Sequence, residues 1–223
     1  MTRTLALLAL LALASLPVRA RGAPRTGAAP AAPRAQPQPA TTSGPAAAAL
    51  TPQQEDMLAL ATDVARRCEA IIEGWIAAKE VTPDKLFNQL YYPVPDTDPV
   101  KFTTDWDRLS DRDIQAVEEE ALKRSEAILF VVLVDRNGYL PTHNLRYSQP
   151  LTGNRGSDLV NNRTKRMFVD RTGIAAARSA APYLLQTYAR DTGEVALDLS
   201  VPVRVQGAHW GAVRVGFRPV DAR

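Results

Sequence analysis

Arginine and lysine collect in one stretch of this sequence. Between Gly153 and Pro182 stand Arg155, Arg163, Lys165, Arg166, Arg171 and Arg178, opposed only by Asp158 and Asp170. Guanidinium groups grip carboxylates and phosphates through paired N–H donors, so a stretch of this kind attracts anions. Arg163 and Arg166 stand three residues apart. On a helix that spacing puts both forks on one face, able to converge on a single anion. For any one arginine the competing reading is a solvated charge or a weak surface pair with Asp158 or Asp170. Tyr139, His143 and Tyr188 are polar aromatics on segments expected to run near this stretch, as orienting hydrogen-bond partners. His143 can hydrogen-bond a ligand, bind haem iron or ligate a metal. With no second ligand at metal-binding spacing, a purely structural role competes.

Other chemistry lacks its residues. The sequence has no GxSxG, no HExxH, no GxGxxG after a strand and no phosphate-binding P-loop. Its single cysteine, Cys68, forms no intrachain disulfide, and no CxxC or CxxCH is present for zinc or covalent haem. No enzymatic activity and no cofactor are expected. Cys68 falls on an apolar helix stripe and reads as a small buried hydrophobe.

The chain has 223 residues, 45% hydrophobic and 23% charged, a globular composition. The net charge is +3, but the first 50 residues hold five arginines and no acid, which leaves −2 on the remainder. A mildly acidic domain is not a nucleic-acid binder, whose affinity rests on clustered cations. Met1-Thr2-Arg3, the apolar run from Leu5 to Leu16, and Val18-Arg19-Ala20 have the layout of a secretory signal peptide over residues 1–20. Twelve residues of helix span about 18 Å, too little for a hydrocarbon core of about 30 Å. Residues 21–50 are rich in Ala, Pro and Gln and read as a disordered tether. Residues 51–223 form one domain, expected to be periplasmic or secreted.

The elements that must position the cationic stretch follow from periodicity. Thr51, Pro52 and Gln54 form a capping box that opens a helix of about 25 residues. Met57, Ala61, Val64, Cys68, Ile71 and Trp75 form its apolar stripe, read as packing on a sheet and as a seam for a homodimer. Thr82-Pro83-Asp84 starts a short helix to Leu90. A further helix is expected over Asp111–Arg124, with Glu118-Glu119-Glu120 on a solvated face. Ile128–Val134 reads as a strand covered on both faces. Asp135-Arg136-Asn137-Gly138 is a hairpin turn, and Tyr139–Asn144 the return strand. A helix is expected near Asp158–Val169. Three strands follow: Tyr183–Arg190, the alternating run Val195–Val205, and His209–Phe217, joined by turns at Asp191-Thr192-Gly193 and Gln206-Gly207. In the last strand His209 is placed with Val213, Val215 and Phe217 on the packing face, and Trp210 with Arg214 on the opposite one. The fold expected is α+β: a PAS-like five-stranded antiparallel sheet with a long N-terminal helix and a helical connector.

Several of these strings resemble a family. Val134-Asp135-Arg136-Asn137-Gly138-Tyr139-Leu140-Pro141-Thr142-His143-Asn144 looks like the first hairpin of Cache domains, the extracytoplasmic PAS-like sensors of bacterial methyl-accepting chemotaxis proteins. Similar too are Asn161–Phe168, Asp170–Gly173, Leu184–Asp191 and the ending His209-Trp210-Gly211. The loop from Phe87 to Trp106 matches in outline through Tyr91, Pro93, Pro95, Lys101 and Thr104. The likeness covers about Leu86 to Phe217. It implies a sensory module that holds a small ligand between sheet and connector. Such receptors continue into a second membrane span, a HAMP segment and a signalling domain. Here only Arg218–Arg223 follow Phe217, so a stand-alone module is expected. The competing readings are a haem- or metal-binding redox sensor on the same fold, and an interaction protein that docks on a membrane receptor.

Overall fold

The computed structural model describes residues 49–189 and 195–220. The signal peptide, nearly all of the tether and the turn at Asp191-Thr192-Gly193 lie outside the described residues. No helix among the described residues is long and apolar enough to cross a membrane.

Helix α1 runs Pro52–Ala77, opened by the expected box: the Thr51 hydroxyl accepts the Gln54 N–H, and the Gln54 side chain accepts the Thr51 N–H at 3.1 Å. Met57, Ala61, Val64, Cys68 and Trp75 are buried, with Ile71 half-buried, and α1 packs chiefly on strand β7 (Val195–Val205). The expected dimer seam is thus core within one chain, since covering it with the sheet already removes its apolar surface from water. Burial pushes the Cys68 thiol far above its usual range.

Short helix α2 (Pro83–Phe87) leads into a hairpin of β1 (Tyr92–Val94) and β2 (Lys101–Thr103). Helix α3 spans Asp107–Leu122, four residues earlier than expected at its start. Thr104 draws it back, its hydroxyl donating to Asp107 Oδ1 at 2.7 Å. Trp75 Nε1 donates to Asp113 Oδ2 at 2.6 Å and ties α1 to α3.

The main sheet is antiparallel and four-stranded, in the order β3 (Ile128–Asp135), β8 (Ala208–Phe217), β7, β6 (Leu184–Ala189). The expected fifth strand, Tyr139–Asn144, does not join it. Only Tyr139–Leu140 (β4) is extended in a ladder, and it pairs with β5 (Arg166–Met167). The Phe102 N–H donates to the Lys165 carbonyl at 2.8 Å, bringing β2 beside β5. The place alongside β3 is taken by side chains. Glu118 Oε1 accepts the Leu133 N–H and Asn144 Oδ1 accepts the Val131 N–H, each at 2.9 Å. Pro141 has no N–H to offer β3 in their stead. Glu118, expected on a solvated face, is fully buried.

One face of the sheet meets α1 and α3 through Val131, Leu133, Val213, Val215, Phe217 and the odd-numbered residues of β7 from Leu197 to Val205. The other face carries Phe130, Val132, Val134 and Ala212. A 3-10 turn (Leu145–Tyr147) precedes the connector, whose expected helix near Asp158–Val169 forms earlier and shorter, as α4 (Arg155–Asn161), and is followed by β5 and α5 (Arg171–Arg178). Lys165, with φ +58°, breaks the path between α4 and β5.

Pairing of β7 with β8 slips between Val203 and Arg204: Val203 lies opposite Gly211, but Arg204 lies opposite His209. Trp210 is therefore an extra, bulged residue. It turns into the helix-side core, where its Nε1 donates to Leu86 O at 2.9 Å. His209 instead reaches α5, Nε2 lying 3.0 Å from Ala177 O. The bulge thus reverses the expected faces of both residues, and Trp210 does not stack on Arg214.

Candidate functional site

Strand alternation puts Asp198, Ser200 and Arg214 on the connector face, in the middle of the sheet. Arg214 and Asp198 are both buried and joined by Nε–Oδ2 contact at 3.1 Å and a second bond from Nη2. Burial opposes the Arg214 charge, but the Asp198 carboxylate more than restores it, so the guanidinium stays protonated. It lies 5.8 Å from the centre of the Phe130 ring. Phe130 lies flat against Gly216, where any Cβ would collide with the ring.

The segment after β4 carries His143 over this floor. Its ring lies 4.8 Å from the Tyr147 ring and 6.3 Å from Phe130. Nδ1 accepts the Asn144 N–H at 2.7 Å, which leaves the proton of a neutral ring on Nε2 as a donor. Burial first, then the charges of Arg163, Arg146, Arg214 and Arg166, hold the imidazole well below its usual pKa. The charges of four guanidiniums thus bear on one buried, neutral imidazole.

Two of those arginines are the sequence-expected pair. They do not share a helix: Arg163 follows α4 and Arg166 opens β5. They converge all the same, their guanidinium carbons 5.1 and 5.3 Å from the centre of the Phe168 ring. Arg166 Nη1 also donates to Leu159 O at 3.2 Å. Arg146 donates to Ile128 O at 3.1 Å and to Leu129 O. Lys101 stands behind them, nearly buried, its Nζ donating to Asn162 Oδ1 and, at 2.7 Å, to Thr164 O. Burial, followed by Arg166 and Lys165, lowers its pKa to about 8.

Tyr188 sits on β6 in the same row as Gln186, half-buried and within electrostatic reach of Arg214. Tyr139 does not belong to the site. Its ring is buried on the helix side, and its hydroxyl donates to Asp107 Oδ2 at 2.8 Å and lies 3.0 Å from Phe102 O. Burial and the Asp107 charge push its phenol far above the usual range. Arg146, Arg214 and Lys101 are the members that sequence reasoning did not reach. Arg214 carried a usable signal, since alternation from Val213 and Val215 already put it on the outer face. Arg146 and Lys101 carried none, because one lies in a single 3-10 turn and the other in a three-residue strand outside the main sheet.

Helix α5 covers the part of the floor over β6 to β8. Its Asp170 cap accepts the Gly173 N–H at 3.0 Å, Ala176 and Ala177 are buried, and Gln186 Nε2 donates to Thr172 O at 3.1 Å. The arrangement presents hydrogen-bond donors and positive charge, which suits a carboxylate or phosphate and repels a metal cation.

No family model matches the sequence. No curated protein matches it either. Among solved structures the chain is similar to the sensor domain of DcuS from E. coli, with 22% identity over 47% of this chain and 65% of that one, at a TM-score of 0.33. It is also similar to an extracellular ligand binding receptor from Desulfohalobium retbaense, with 20% identity over 76% of this chain and 26% of that one, at a TM-score of 0.33. The chain thus spans less than two thirds of either protein, and likeness at that level carries no argument about function.

Proposed function

We propose that this protein is an exported sensory module that binds a small anion between the outer face of its main sheet and the connector. It does so in chemotaxis or another signal-transduction pathway, with no catalytic step of its own. The observation that supports this reading is the convergence of Arg163 and Arg166 on the Phe168 ring, with their charges and those of Arg146 and Arg214 bearing on the buried His143. A bound carboxylate or phosphate would accept from guanidinium N–H groups and from His143 Nε2. The export reading rests on the layout of residues 1–20. A membrane receptor is the partner through which a module of this kind would signal.

The test is calorimetric titration of the purified protein with amino acids, organic acids and phosphate, chosen after a thermal-shift screen that also includes haem. A charge-assisted bond contributes roughly 1.5–3 kcal/mol, so Arg163→Ala or Arg166→Ala should weaken the anion that binds by about ten- to a hundredfold. Arg→Lys restores little, because a point charge does not reproduce the fork. Arg34→Ala serves as the control and leaves affinity unchanged. Unaltered affinity in both Arg163→Ala and Arg166→Ala would remove the anion site from this face.

A further inference from the structure

The backbone groups along a sheet edge are open donors and acceptors, and folds that must stay single block them. The main sheet has three stretches of edge, and side chains seal two. Along β3, Asn144 and Glu118 accept from Val131 and Leu133, and Arg146 donates to the Ile128 and Leu129 carbonyls. Along β7, β6 pairs only as far as Ser200. Beyond it Pro202 has no N–H, while Glu69 Oε1 accepts the Arg204 N–H and Glu73 Oε1 the Gln206 N–H, each at 2.7 Å.

The third stretch is β6 itself. Arg204 turns its N–H toward α1 and away from β8. By alternation Ala196, Asp198 and Ser200 turn theirs toward β6, where they face Tyr188, Gln186 and Leu184. The outward groups of β6 are then those of Leu185 and Thr187. Among the described residues, no backbone or side-chain group bonds to either residue's outward N–H or C=O.

We infer that β6 pairs antiparallel with β6 of a second copy of this chain, centred on Thr187, so that the main sheet runs on through both chains. A two-fold axis normal to the sheet puts Thr187 opposite Thr187, and Leu185 opposite Ala189, as hydrogen-bonded pairs. The strand Leu184–Ala189 carries no charge. Two copies therefore meet without like-charge repulsion, whereas a charged foreign strand would find no complement there. Thr187 is exposed, and threonine pairs across strands are favourable.

Sedimentation of the full chain from dilute to near-millimolar concentration reads the association directly, without ligand. Thr187→Pro removes an N–H that nothing among the described residues uses, at an edge position where proline is tolerated. Thr187→Lys sets like charges opposite each other. Each should raise the dimer dissociation constant by at least about tenfold, with melting temperature and circular dichroism close to wild type. Hydrogen exchange on the wild type should show the Leu185 and Thr187 amides becoming protected as concentration rises. A wild type that stays monomeric at every concentration overturns the inference and leaves the edge to a strand of another protein. A dimer that forms with these amides still exchanging freely, or that both variants leave intact, overturns it as well.

Discussion

Glu118 Oε1 lies 2.9 Å from the backbone nitrogen of Leu133, so a helix side chain stands where a neighbouring strand would otherwise bond. Its other oxygen, Oε2, is buried without a partner among the described residues. Burial pushes this carboxyl well above the usual glutamate range, against the pull of the Leu133 N–H. The folded state therefore keeps a proton that the unfolded chain gives up, and this group's contribution to stability falls as pH rises above the unfolded value. Glu118→Gln keeps the acceptor and removes the ionisation. Its melting temperature relative to wild type should climb as pH rises above the ordinary glutamate range. Parallel curves would show that Glu118 does not titrate above that range. Glu118→Ala orphans the Leu133 N–H and should cost about 1–3 kcal/mol.

Asp135 turns the β3–β4 corner. Its Oδ1 accepts the Asn137 and Tyr139 N–H groups at 2.8 and 3.0 Å, and Tyr91 donates its hydroxyl to Oδ2 at 2.5 Å. Burial outweighs these bonds and raises its pKa to about 6. A raised carboxylate pKa means that stability from this group grows as pH falls from about 6 toward the unfolded value of 3.8. Asp135→Asn, which keeps the acceptor at Oδ1, should lose that gain, a slope of up to about 3 kcal/mol across the window. Denaturant titrations at several pH values measure it, and identical slopes in variant and wild type would refute it.

Lys101 should titrate near pH 8, well below the usual 10.5. A side-chain NMR titration reads the midpoint. The sign for folding is opposite to that of the two acids. The folded state releases the lysine proton first, so this residue's contribution to stability rises as pH climbs from about 8 to 10.5. A midpoint at the ordinary lysine value would mean that Nζ reaches water.

Arg214 and Asp198 are buried together, and the Asp198 carboxylate is the chief group that keeps the guanidinium charged. Asp198→Asn should cost about 3–5 kcal/mol, because it strands a buried guanidinium. The double variant Asp198→Leu, Arg214→Met should recover most of that loss while abolishing anion binding. Chemical denaturation separates the two, and a single variant as stable as wild type would show the pair to be solvated.

Much of the fold was legible in local patterns. The capping box at Thr51 and Gln54, the Asn137-Gly138 turn and the alternation from Val195 to Val205 each involve neighbours in sequence, and each appears in place. What escaped depends on residues distant in sequence. Nothing near Glu118 announces that its carboxyl will stand beside Leu133, or that the strand expected over Tyr139–Asn144 will end at Leu140. At Trp210 one extra residue inverts the period-two rule, so correct alternation on each side yields wrong faces for His209 and Trp210. Arg163 and Arg166 come together on Phe168 as their charge and spacing suggested, although a turn and a short strand rather than a helix bring them there. Tyr139 was misplaced because its face depends on β4 leaving the main sheet.

The sealing of β3 by Glu118, Asn144 and Arg146 also sets how far an assembly can grow. A sheet with two open edges can add copies without limit and end as a fibre. In the pairing proposed above, a second chain that meets β6 would present its own sealed β3 at the far side. The contact is the same patch on both partners, so it closes on itself at two. Three side chains at one edge thus fix the stoichiometry available at the other.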